Sequence, residues 1–168
     1  MVYDGRAKGD PVVTSGATLQ AAALLCAARI ERRRFGRLPE TCRPADEATA
    51  YAIQNALHER LTAAGWGSLA GHKIGCTTPV MQRLLSIPNP CAGGVFAPTV
   101  QHERGTFRHA DFLHGGVECE VAVRLAHDLP AERGPYDRRA VAAAVGACMA
   151  AIEVVTAMRI TARSMPRP

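Results

Sequence analysis

GGVECEVAVRL, residues Gly115–Leu125, sorts into two faces when read at period two. Val117, Cys119, Val121 and Val123 point one way and read as core. Glu118, Glu120, Ala122 and Arg124 point the other way. The second face sets two carboxylates on neighbouring positions of an otherwise apolar strand. Like charges so placed repel unless a cation lies between them. The stretch therefore suggests a metal, although an exposed strand face carries glutamates without one.

Working outward, the chain alternates helical and extended patterns. A helix is expected from Ser15 or Thr18 to about Arg34, with Ala21, Leu24, Leu25 and Ala28 as its apolar stripe and Gly36 as its end. Pro44, Asp46 and Glu47 mark a second start, because acidic groups suit the positive end of a helix. Ile53, Leu57 and Leu61 recur every four residues along it, and Gly65 closes it. SLAGHKIGC, residues 68–76, reads as a strand in which glycines bracket Lys73. Thr78-Pro79 pairs a helix cap with a proline at the first helical position, so 80–85 should be helical. IPNPCAGG at 87–94 reads as a rigid loop, and 94–100 and 106–112 as short strands. Residues 138–151 carry Val141, Val145, Cys148 and Met149 at helical spacing and predict a buried helix. Around Glu153 the chain becomes β-branched again.

Composition narrows the class. The 168 residues are 48% apolar with 5% aromatics, enough for one domain with a core. The net charge of +5 comes from scattered arginines; only Arg32-Arg33-Arg34 forms a run, which argues against nucleic acid as a partner. No apolar stretch is long enough for a membrane span, and the first residues hold no apolar signal core, so a cytoplasmic protein is expected. The six cysteines include no C-x-x-C pair and no zinc spacing. Cys26, Cys119 and Cys148 read as small core residues, and Cys76 as structural rather than reactive.

Five collinear stretches then resemble one family. They are AYAIQNAL (50–57), GHKIGCTTPVMQ (71–82), GGVF (93–96), VECEVAVRLAHDLP (117–130) and AAIEVV (150–155). Together they resemble the 2-keto-4-pentenoate hydratase / 4-oxalocrotonate decarboxylase group of the fumarylacetoacetate hydrolase superfamily. The resemblance implies an α+β fold, with N-terminal helices packed on an incomplete, mixed and mostly antiparallel β roll. It implies a lyase that hydrates 2-hydroxypenta-2,4-dienoate, or a related 2-oxo-enoate, to a 4-hydroxy-2-oxo acid in aromatic catabolism. Decarboxylation of 4-oxalocrotonate at the same site is the close alternative. An inactive fragment, or a subunit active only in an assembly, is the alternative of another class.

By the same resemblance, Glu118, Glu120 and Glu153 match carboxylates that hold one Mg²⁺ or Mn²⁺. All-oxygen ligation suits such hard cations. On its residues alone, Glu153 is also readable as an ordinary charge at a strand edge. Lys73 is the candidate catalytic residue, as a proton carrier or as a point charge for a substrate carboxylate; a surface lysine on a strand has the same sequence. Thr78 caps a helix in any case, and is the candidate substrate-binding residue. The implied partners are a small anionic 2-oxo acid and a homo-oligomer or a decarboxylase/hydratase-type assembly, with no nucleic acid and no membrane. The implied division is a flexible arm at 1–14, a helical part at 15–66, a partial catalytic β-rich core at 67–156 and an aberrant tail at 157–168. The match stops at Val155, where the family continues, so a C-terminal truncation is expected.

Overall fold

The first helix, α1 (Gly16–Ile30), starts where Ser15 Oγ accepts the Thr18 backbone N–H at 3.1 Å. It stops four residues short of the expected Arg34. Arg32 takes the left-handed conformation at φ 51, its N–H bonds Arg29 O, and Arg33 N–H bonds Ala28 O. These two bonds close the helix in the way a C-terminal glycine usually does, although the residue here is an arginine. The computed structural model describes residues 15–156 in two compact units, 15–107 and 108–156. The arm at 1–14 and the tail at 157–168 lie outside the described residues.

In the unit 15–107, α2 (Glu47–Leu61) is capped by Asp46, whose Oδ1 accepts the Thr49 N–H at 2.8 Å. It runs on into one wider turn, Thr62–Trp66, and Gly65 at φ 90 ends it. α1 and α2 pack through small side chains: Ala21, Ala22, Cys42, Ile53 and Ala56 form one buried cluster. β1 (Leu69–Gly75) and β2 (Cys91–Phe96) form an antiparallel pair, with α3 (Pro79–Leu85) between them in sequence. Phe96 joins Cys26 of α1 and Leu61 of α2 in a second cluster, edge-on to Trp66 at 5.9 Å between ring centroids. The expected strand 94–100 thus ends at Phe96. Pro98 has no N–H to pair, and Ala97–Thr99 form a single tight turn. Cys91–Gly94, expected in a loop, are strand because their backbone pairs with β1.

In the unit 108–156, β3 (Gly115–Leu125) pairs antiparallel with β4 (Val145–Thr156). The expected strand 106–112 is instead irregular backbone and one turn, His109–Asp111, held by a 3.1 Å ion pair from Arg108 to Asp111. The expected helix 138–151 is helical only over α4 (Arg138–Ala144), where Asp137 caps the Ala140 N–H at 2.7 Å. Val145 is extended, and pairing with the long β3 overrides the helical spacing. Gly146 sits at the bulge that opens this pairing, between Val145 opposite Leu125 and Ala147 opposite Arg124. Any side chain on Gly146 would press to 3.2 Å on the Ala126 backbone N.

Two corrections follow for the core. Val117, Val121 and Val123 are 70%, 74% and 51% exposed rather than buried. Cys119 and Cys148, on the same face, are exposed as well, whereas Cys26 is buried as expected. A two-stranded ribbon leaves one face without a second layer. The α+β class stands, with both described sheets two-stranded and antiparallel.

Candidate metal centre

The β3–β4 register sets the site. Glu118 stands directly opposite Glu153, and Glu120 lies two pairs further along, opposite Ala151. Period two puts Glu118 and Glu120 on one face, and antiparallel pairing adds Glu153 to it. Each residue offers a carboxylate oxygen, and all three oxygens lie within 4.8 Å of one another. Glu118 and Glu120 are exposed and Glu153 is half-buried. The cross-strand partner of Glu120 is the small Ala151, and the next pair on this face is Ala122 with Met149.

Like charges directly opposite on a ribbon are destabilising, by roughly 0.2–1 kcal/mol for a pair. A divalent cation reverses that sign, and the donor set fits one. Oxygens on opposite sides of Mg²⁺ are about 4.2 Å apart, given Mg–O distances of about 2.1 Å. Small side-chain rotations would bring the three oxygens from 4.8 Å to that span. Three hard anionic donors leave further positions for water or a bidentate acid, which suits Mg²⁺ or Mn²⁺.

Lys73 and Thr78 belong to the other unit. Lys73 is exposed on β1 opposite Gly93, where a side chain would stand 3.4 Å from Lys73 Cγ. Thr78 caps α3: its Oγ1 accepts the Met81 N–H at 3.3 Å, with Pro79 following as read from the sequence. Gln82 donates from Nε2 to Cys76 O at 2.9 Å and fixes the turn before Thr78.

Tyr51 and Gln54 are positioning residues that the sequence reading did not single out. Tyr51 Oη accepts the Ala92 N–H at 3.0 Å and Gln54 Nε2 donates to Ala92 O at 2.9 Å, so α2 holds the strand that faces Lys73. Their spacing of three on an amphipathic helix was the available signal. His58, also on α2, is half-buried against Phe96 at 5.7 Å between centroids. Its burial, then the nearby His72 and Arg29, hold its imidazole below the usual histidine range.

Known proteins are similar to this chain over most of its length. No family model matches the chain. It is 36% identical over 137 residues to a 2-keto-4-pentenoate hydratase of Paraburkholderia phymatum, which covers 80% of this chain and 50% of that protein. It is 33% identical over 134 residues to the 2-keto-4-pentenoate hydratase of Burkholderia vietnamiensis, with the same shares covered. Among solved structures, the 4-oxalocrotonate decarboxylase of Pseudomonas putida G7, complexed with magnesium and adipate, superposes with a TM-score of 0.71 at 21% identity. That match covers 82% of this chain and 51% of the decarboxylase. The chain spans about half the length of the curated relatives it matches. No helix of the described residues is long and apolar enough to cross a membrane.

Proposed function

We propose that this chain, a relative of the 2-keto-4-pentenoate hydratases over half their length, carries the metal-binding part of a hydratase for 2-hydroxypenta-2,4-dienoate or a related 2-oxo-enoate. The observation that carries the reading is the carboxylate face of β3–β4, with three oxygens within 4.8 Å. Glu118, Glu120 and Glu153 would hold Mg²⁺ or Mn²⁺. When bound, such an ion supplies Lewis acidity toward the oxygens of a 2-oxo acid. The glutamates orient and neutralise the ion, and Ala151, opposite Glu120, adds only a methyl group beside it.

Lys73 is the proposed catalytic residue: its ammonium attracts the substrate carboxylate or moves a proton at Nζ. Thr78 accepts one hydrogen bond from Met81 and keeps its own hydroxyl proton to donate to a substrate oxygen. Decarboxylation of 4-oxalocrotonate at the same residues is the second reading, suggested by the name of the solved neighbour. The proposed working form is an assembly, a homo-oligomer or a decarboxylase/hydratase-type complex. Support for it comes from the exposed apolar face of Val117, Val121 and Ile152.

The test combines metal binding, mass in solution and turnover. Mn²⁺ and Mg²⁺ should raise the unfolding temperature of the chain, and should not do so with Glu118, Glu120 and Glu153 all changed to Gln. An equal rise in both proteins removes the metal site. Metal binding without turnover of either acid, by the chain at its measured assembly state, removes the substrate assignment and leaves the site.

A further inference from the structure

One feature of the unit 15–107 has no part in this reading: two cysteines stand next to each other at the end of the β1–β2 ribbon. Cys91 opens β2 and pairs with Gly75, the last residue of β1. Cys91 Sγ lies 3.7 Å from where a Cβ on Gly75 would stand. Cys76 follows at φ 56, a left-handed turn that is unusual for a residue with a side chain. Cys76 directly follows the residue that Cys91 opposes, so the two cysteines are neighbours across the end of the ribbon. Cys91 is exposed and Cys76 half-buried, so a small reagent reaches Cys91 first.

We propose that Cys76 and Cys91 form a reversible dithiol–disulfide site, closed by a small disulfide oxidant of the oxidised-glutathione class. The Cys91 thiolate attacks one sulfur of the oxidant, forms a mixed disulfide and expels one glutathione thiolate. Cys76 then gives up its proton to water, attacks the Cys91 sulfur and expels the second glutathione thiolate. The protein loses two protons and two electrons, and the oxidant is reduced to two thiols. Burial first, and then the neighbouring Cys91, push the Cys76 thiol above its usual range, which suits the resolving role over the attacking one.

The bond would tie the turn at residues 76–78 to β2. Gln82 already holds Cys76 O there, and Thr78 caps α3 two residues on. Oxidation would therefore stiffen the segment that carries the candidate substrate-binding threonine. The thiol geometry stands whatever the substrate, and so does its test.

The 168-residue chain is incubated with oxidised glutathione, its remaining thiols are alkylated under denaturing conditions, and it is digested with trypsin. The expected major linked product joins residues 74–83 to residues 84–104, two hydrogens lighter than the separate peptides and released by dithiothreitol. Cys76→Ser should leave Cys91 as a stable glutathione adduct, and Cys91→Ser should leave Cys76 open to alkylation. Linked peptides through Cys119 or Cys148 in equal yield would overturn the proposal. So would a wild-type chain in which Cys91 stays glutathionylated while Cys76 is alkylated. The wild-type map decides the question even where a variant fails to fold.

Discussion

Phe96 closes β2 at 3% exposure, whereas Val121, midway along β3, is 74% exposed. Both are apolar residues of two-stranded antiparallel ribbons. The difference lies in what covers them. α1 and α2 lay Cys26 and Leu61 on Phe96, while in the unit 108–156 Ala144 is the buried apolar residue among those described. A ribbon sorts side chains onto two faces, and it takes a second layer to turn one of those faces into a core. The carboxylate face needs no such layer, so the candidate metal centre forms on the less covered of the two ribbons.

Substitutions at the two positions give the sharpest contrast. Phe96→Ala should cost about 3–5 kcal/mol, and Val121→Ala, in the chain diluted until it is a monomer, less than about 0.5 kcal/mol, as for surface positions. Urea unfolding followed by circular dichroism reads both. A Val121→Ala cost near that of Phe96→Ala would show the β3–β4 apolar face covered in solution, and the contrast would fail.

Glycines probe the packed ribbon at smaller magnitude. A Cβ on Gly94 would stand 2.6 Å from Leu69 Cδ2 and 2.7 Å from His58 Cε1, while nothing lies within 4 Å of one on Gly71. Gly94→Ala should cost about 1–3 kcal/mol by overpacking. Gly71→Ala, on the same ribbon, should be close to neutral. Equal unfolding midpoints for the two variants would mean that α2 does not press on β2 as described.

On the other ribbon the expected sign reverses. Without metal, Glu118→Gln removes a charge opposite Glu153 and should stabilise by about 0.2–1 kcal/mol. With millimolar Mg²⁺ the wild type should regain the difference or exceed it. Loss of stability in Glu118→Gln without metal would show that the carboxylates are not held against each other.

The sequence carried some of these features in short-range chemistry. Thr78 caps the helix whose start it marks in the sequence, and Asp46, legible there as an acidic residue at a helix start, caps α2, because capping is a local bond from a side chain to an N–H three residues on. The carboxylate face on β3 follows from period two within one strand. Its completion by Glu153 depends on register, which residues 115–125 do not state. The switch from helix to strand at Val145 was hidden for a related reason: an Ala-rich apolar segment fits both periods, and pairing with β3 decides it. The exposure of Cys119 and Cys148 depends on what lies over a face, which alternation along a strand cannot report.

The smallest expected effect is a pH dependence confined to the packed unit. His58 is held below the ordinary histidine value of 6.5 by its burial, and then by the positive charges of His72 and Arg29. The unfolded chain therefore takes up this proton before the folded one, so stability rises with pH across the interval between the two values. The stability present above 6.5 should be lost as the pH falls through the lowered folded-state value. Asp46 is also held below the usual carboxylate range, chiefly by the Thr49 N–H, and its ordinary value of 3.8 places its own loss at more acidic pH. Between pH 7.5 and 5.5 the Asp46 cap is constant, and the part of the slope that His58→Gln removes belongs to His58. Urea midpoints of the wild type, followed by the fluorescence of Trp66, which packs edge-on to the Phe96 that His58 touches, should fall over this range. In His58→Gln they should fall less, since no imidazole remains there to titrate. An equal fall in both proteins would place the proton uptake elsewhere and show His58 to be hydrated, contrary to the burial that separates this unit from the β3–β4 ribbon.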